Sequence, residues 1–167
     1  MTRKSRKVNP DDLSDALESA AGAAPASSQR ISHRDILLTS INLTGIADIY
    51  RQKVLTQPTR TIRLLGRKSS AKIIHTLLGF EVQASYKRIQ CPDLVTARYL
   101  KLFSEIGCHS IKLPYDPTLT EQIIPELESM VAAIIRRIQE LFPQDRLNRR
   151  YALEKAFATI RRQLRSI

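Results

Sequence analysis

One helix with a defined start and stop, flanked on both sides by runs of sheet character, constrains this chain more than any other feature. Val95, Tyr99, Leu102, Phe103 and Ile106 recur at helical spacing, so one face of the segment is apolar. Pro92-Asp93 suits the first turn, where a missing N–H costs nothing and a carboxylate meets the positive end of the helix dipole, and Gly107 supplies the stop. His109–Leu113 then reads as a short strand closed by Pro114. Upstream, Phe80–Tyr86 alternates apolar and polar residues at period two, and Lys87–Cys91 can be its hairpin partner. Strand, helix, strand over 87–113 implies a small mixed sheet covered by helices.

The segment 80–91 also admits a helix, because Val82, Tyr86 and Ile89 fall at helical spacing and no Asn-Gly or Asp-Gly marks a tight turn; Phe, Val and Tyr favour the sheet. Before it, apolar residues crowd from Ile36 to Tyr50 with Gly45 in their midst, which predicts one helix or two short ones meeting at Gly45. Gln57-Pro58-Thr59 ends that region, since the residue before a proline avoids the α conformation. Residues 59–65 fit a strand or a helical turn. Ser69 or Ser70 is placed to cap a helix running through Ala71, Ile73, Ile74, Leu77 and Leu78 to Gly79.

In the C-terminal third, Leu127, Met130, Val131, Ile134, Ile135, Ile138 and Leu141 keep helical spacing until Pro143. Pro125 is expected near the start of this helix, because an interior proline costs about 3 kcal/mol. A last helix after Gln144 places Leu153, Ala156, Phe157, Ile160 and Leu164 on one side and Lys155, Arg161, Arg162 and Arg165 away from it. The prediction is an α+β fold, predominantly helical, with about three strands within 80–113 and a long C-terminal helix pair. Residues 1–31 read as a flexible basic and Ala-rich arm, too poor in large apolar side chains to offset the entropy of ordering. Residues 32–167 form one globular domain, with an α+β part over 32–116 and helices over 117–167.

The charge is blocked rather than dispersed. Among 167 residues, 27 Lys and Arg stand against 16 Asp and Glu, a formal charge of +11. The excess sits in residues 1–10 (+4), 57–91 (+6) and 144–167 (+5), separated by neutral or acidic stretches. A chain needing only solubility would intersperse both signs, so the blocks point to an anionic partner, nucleic acid first and acidic protein or lipid after it. No apolar run approaches the ~20 residues of a membrane span. No apolar stretch follows the basic start Met1–Lys7, so a secretory signal is not expected and an intracellular, cytoplasmic location is. Cys91 and Cys108 are expected as reduced thiols, since two cysteines do not staple a chain of this length.

No catalytic pattern in the sequence is convincing, and a nuclease or other enzyme ranks third among the expected functions. Gly66-Arg67-Lys68-Ser69 has only the last fragment of a phosphate-cradling P-loop. Cys91, Cys108 and His109 lack the paired short spacings of a zinc site, and Glu81, Glu105 and Glu121 would have to meet in space to hold magnesium. His33 and His75 have no sequence-near carboxylate or thiol partner. No cofactor and no metal are expected.

Ile62 to Lys72 resembles the KH RNA-binding module, whose GxxG loop between two helices clamps a nucleic-acid backbone, with Ser69 standing where the second glycine belongs. A second alignment makes Leu77-Leu78-Gly79 the turn of a helix-turn-helix, with Val82–Ile89 as recognition helix and Gln83, Lys87 and Arg88 facing a groove. Neither pattern names a family. The expected function is non-enzymatic binding of nucleic acid, RNA or DNA, through Arg60, Arg63, Arg67, Lys68, Lys72, Lys87 and Arg88 in the centre and Arg161, Arg162 and Arg165 at the end. Tyr86 beside Lys87 is expected to pack in the sheet more readily than to stack on a base. The rival expectation is a helical adaptor that docks an acidic protein with the apolar faces of 127–141 and 153–164.

Overall fold

The computed structural model describes residues 45–166. The arm expected over 1–31, His33 and the apolar segment before Gly45 lie outside them.

The first described helix, α1, spans Gly45–Ile49 and runs on as a wider π-helical turn through Tyr50–Val54. Ile46, Ile49, Tyr50 and Val54 are buried, so this segment belongs to the core. Five strands follow: β1 (Thr59–Arg63), β2 (Ala71–Thr76), β3 (Gly79–Ala84), β4 (Lys87–Cys91) and, after helix α2 (Leu94–Ile106), β5 (Ser110–Pro114). Helix α3 spans Pro117–Leu141 and helix α4 spans Arg146–Arg165. The class is α+β with a long C-terminal helix pair, as expected.

The sheet differs from the expected single mixed one. β1 and β5 form a two-stranded antiparallel sheet in which Arg60 faces Leu113 and Ile62 faces Ile111. β2, β3 and β4 form a separate three-stranded antiparallel meander. Three strands do fall within 79–114, but β4 and β5 on either side of α2 enter different sheets. The physical cause is β1, which pairs with β5 and leaves β4 to complete the meander.

The segment 71–76 is strand β2, not the helix expected after Ser69 or Ser70. Ala71 sits opposite Ala84, and Ile73 opposite Val82, which in turn faces Ile89. These cross-strand pairs bury one face, and that non-local burial outweighs the local helical spacing. Both motif alignments fall with it. The Gly66–Ser69 loop joins two strands rather than two helices, and Val82–Ile89 is a hairpin rather than a recognition helix. The hairpin turn is Ser85-Tyr86, with Ser85 in the left-handed region at φ 56°.

Helix α2 starts and stops where the sequence places it. Asp93 accepts hydrogen bonds from the Thr96 backbone N–H at 2.6 Å and from the Thr96 hydroxyl at 3.0 Å. Gly107 closes the helix at φ 88°, and its N–H donates to the carbonyls of Phe103 and Ser104. Helix α3, by contrast, begins eight residues earlier than Pro125 suggests: Asp116 caps it and Pro117 occupies its first turn. Pro125 is therefore interior. It and Glu121, four residues back, are exposed, so the carbonyl that loses its partner faces water and the penalty is reduced.

The core joins α1, the inner sheet faces and the buried sides of α2, α3 and α4 in one cluster that includes Tyr99, Phe103, Leu127, Ile138, Phe157 and Ile160. Tyr50 and Tyr99 hold the free edge of β5: the Lys112 N–H donates to the Tyr50 hydroxyl at 2.7 Å, and the Tyr99 hydroxyl donates to the Lys112 carbonyl at 2.8 Å. Burial pushes the Tyr50 phenol up to about 12, against the lowering effect of the Lys112 N–H, and carries Tyr99 well above its ordinary value. Among the described residues no helix is long and apolar enough to cross a membrane.

Candidate nucleic-acid interface

The loop between β1 and β2, residues 64–70, is fixed from beneath. The β1–β5 ladder continues into it through Leu64 N–H to His109 O at 2.7 Å and Gly66 N–H to Cys108 O at 3.0 Å. Gly66 turns the backbone at φ 78°, and the loop then lies directly on Gly107 at the end of α2. A Cβ at Gly107 would meet the Lys68 backbone N at 2.5 Å and the Arg67 carbonyl carbon at 2.9 Å. Only a residue without a side chain allows that approach.

Above this seat, α4 brings its last three turns against the loop. A cavity of about 570 Å³ is lined by Gly66, Arg67 and Lys68 from the loop and by Glu154, Ala158, Arg161, Arg162 and Arg165 from α4. Five cations thus share a concavity with a single lining carboxylate. The central and C-terminal basic blocks, some ninety residues apart in the chain, form one surface here. Glu154 is engaged by Arg161 at 2.9 Å, while none of Arg67, Lys68, Arg162 and Arg165 lies within ion-pair distance of a carboxylate among the described residues.

The ten basic residues marked in the sequence have different fates. Arg67, Lys68, Arg162 and Arg165 are exposed in the cavity wall. The Arg67 guanidinium lies 5.5 Å from the Tyr86 ring centroid and the Lys68 ammonium 5.2 Å from that of Phe157. Arg161 turns inward instead of away from the apolar side: its side chain is 19% exposed and Nη1 donates to the Ile106 carbonyl at 2.7 Å. Lys87 is likewise tied down, with Nζ donating to the Arg63 carbonyl at 2.7 Å and to that of Leu64 at 3.4 Å. Lys72 and Arg88 stand on the outer face of the three-stranded sheet, flanking Gln83, and Arg88 lies 3.9 Å from Glu81. Arg60 and Arg63 are exposed on β1 and do not line the cavity.

Several cations missed in the sequence extend the surface. Arg146, Arg149 and Arg150 line a neighbouring depression of about 280 Å³ together with Lys68 and Ile138. On the other side, Arg161 and Arg165 also border a cleft of about 580 Å³ that contains Lys112, His109, Thr61 and Ser110. The +5 charge of the last block carried the signal for Arg146, Arg149 and Arg150, whereas Lys112 and His109 lie in a neutral stretch and carried none.

Cys108 borders the same cleft. Burial pushes its thiol up to about 12, the opposing pull of Arg161 and Arg165 being smaller. Cys91 is raised to about 11, again chiefly by burial. Both cysteines are free, and neither is a thiolate at neutral pH, so neither is an activated nucleophile. No three His, Cys, Asp or Glu side chains gather as a metal set among the described residues.

The chain matches no protein-family model, no characterised protein and no solved structure.

Proposed function

We propose that this chain is a nucleic-acid-binding protein that holds the phosphate backbone in the basic concavity between the 64–70 loop and the end of α4. The observation that carries the reading is the convergence of Arg67 and Lys68 with Arg162 and Arg165 around one cavity of about 570 Å³, four cations without a carboxylate partner among the described residues. A run of phosphates would supply the counter-charge that the described carboxylates do not, and each contact would release condensed cations from the nucleic acid.

The test is a salt titration of affinity with Arg67→Gln/Lys68→Gln, Arg162→Gln/Arg165→Gln and the four changes combined. Each pair should flatten the slope of log affinity against log salt by about 1.4 to 1.8, and the combination by roughly twice that. Unchanged slopes in folded variants would remove the reading.

A docking role for protein is the second reading, and its support has moved. The faces of 127–141 and 153–164 are largely buried in the core, including Leu127, Ile134, Ile138, Phe157 and Ile160. Among the described residues, adjacent exposed leucines stand at the turn between β2 and β3, Leu77 at 105% and Leu78 at 77%, with Leu147 exposed separately on α4. Leu77→Ser/Leu78→Ser should leave nucleic-acid affinity unchanged, and binding of an acidic protein that this variant loses and the Arg/Lys variants keep would favour the second reading.

A further inference from the structure

Two tyrosines adjoin the 64–70 loop without serving the core. Tyr86 is 78% exposed and occupies one of the two positions of the β3–β4 turn, where Asn-Gly would suit the backbone better. It is not packed in the sheet, contrary to the expectation from sequence. The Arg67 guanidinium beside its ring gives a planar cation and an aromatic face side by side. Tyr151 is 45% exposed on α4, one turn after the exposed Leu147, and the Lys155 ammonium lies 5.4 Å from its ring centroid. It lines a cavity of about 670 Å³ with Lys68, Ser69, Ser70 and Arg150. Lys68 lines that cavity and the cavity of the proposed phosphate site alike.

Resting on the reading of the basic concavity as a phosphate site, we propose that the strand it holds is single, with unstacked bases lying on Tyr86 and Tyr151. In a duplex the base faces are covered by their neighbours and only edges reach the grooves, so an exposed ring beside a cation gains nothing from it. In a single strand every base offers a face, and an aromatic ring next to a phosphate-binding cation takes base and backbone of the same nucleotide. Tyr86 buries little of its ring, and Tyr151 leaves nearly half of its surface open while standing outside the core cluster. Tyr86 lies beside Arg67, which lines the proposed phosphate cavity, and Tyr151 shares its own cavity with Lys68, which lines both.

The experiment measures binding of the full chain to a ~20-nucleotide oligo(dT), to oligo(U) of the same length and to a duplex of that length, for the wild type, Tyr86→Ala, Tyr151→Ala and the two Phe variants. Each Ala change should weaken binding to the single strands roughly five- to a hundredfold, and the Phe changes should preserve it because the ring face, not the hydroxyl, is used. Duplex affinity should change less than about twofold. The chain has no tryptophan, so its intrinsic fluorescence comes from tyrosine, and single strands should quench it in the wild type and less in each Ala variant. Equal losses on single strand and duplex, or no loss on either, would overturn the inference and leave the phosphate site standing. Failure of the wild type to bind any of the three at low salt would overturn both.

Discussion

Arg161 and Arg162 are neighbours in sequence and carry the same charge, yet the structure gives them opposite energetic roles. At the end of α2 the carbonyls of Phe103 and Ser104 are satisfied by the Gly107 turn, and Phe103 accepts also from the Cys108 N–H. The Ile106 carbonyl takes its hydrogen bond from Arg161 Nη1 at 2.7 Å. Arg161→Gln shortens the side chain, removes a charge-assisted bond valued at about 1.5–3 kcal/mol, and takes a cation from the negative end of a helix, valued at about 0.3–1 kcal/mol. The bond to Glu154 adds little, because that carboxylate is half exposed. A loss of about 2 kcal/mol results, or roughly 5–10 °C in the melting midpoint of a domain this size. Arg162→Gln removes an exposed side chain and should stay within about 0.5 kcal/mol. Thermal and urea denaturation followed by circular dichroism compare the two directly. Equal midpoints for the two variants would refute the assignment of Arg161 to the fold and return it to the surface.

Three further outcomes are expected. Gly107→Ala places a Cβ against the Lys68 backbone at a positive φ, so it should cost at least about 1–2 kcal/mol from the left-handed backbone alone and should also weaken nucleic-acid binding by displacing the loop; a variant as stable and as tight as wild type would show that the seat is not needed. Lys87→Met should lower stability by about 1 kcal/mol through the bonds to Arg63 and Leu64 while leaving the salt slope unchanged, whereas a flatter slope would make Lys87 a phosphate contact. Cys108 and Tyr50 have folded values near 12, raised from the ordinary 9.0 and 10.0, so the folded state favours their neutral forms. That stabilisation is whole below about pH 9 and is lost as pH climbs towards about 12, so urea midpoints should fall across this window and a rise would contradict the burial.

What the sequence revealed follows from how far each determinant reaches. Helix α2 was legible because Asp93, the apolar stripe and Gly107 all act within a few residues of the bonds they make. The β3–β4 hairpin was legible for the same reason, since its partners adjoin. β2 was not: Ile73, Ile74, Leu77 and Leu78 satisfy helical spacing, and the decision came from pairing with β3 across the turn at Leu77-Leu78. Pro125 misled because the proline penalty depends on whether the bereft carbonyl faces water, which spacing does not disclose. Within the site, the two charge blocks could be read but not their meeting, which depends on Gly107 admitting the loop. The inward turn of Arg161 was invisible too, because the carbonyl that draws it belongs to another helix.

That meeting has a cost which bears on what it is for. Like unit charges ~7 Å apart repel by about 0.6 kcal/mol in water and by about 2 kcal/mol at the effective dielectric of a protein surface. Folding alone would favour spreading Arg67, Lys68, Arg162 and Arg165 over the surface, and Glu154, the carboxylate that lines the cavity among the described residues, is already engaged by Arg161. The loop nevertheless is held against α4 by the extended β1–β5 ladder, by the contact of its backbone with Gly107 and by the placement of Lys68 over Phe157. These contacts hold the loop beside α4 without supplying a carboxylate to the four cations among the described residues. A polyanion bound there would relieve the repulsion, so binding and folding would be coupled in sign: the ligand would stabilise the folded chain by RT ln(1 + [L]/Kd), and the repulsion it removes would contribute to its own affinity. An ordinary solvated face, with both signs interspersed, would carry no such coupling.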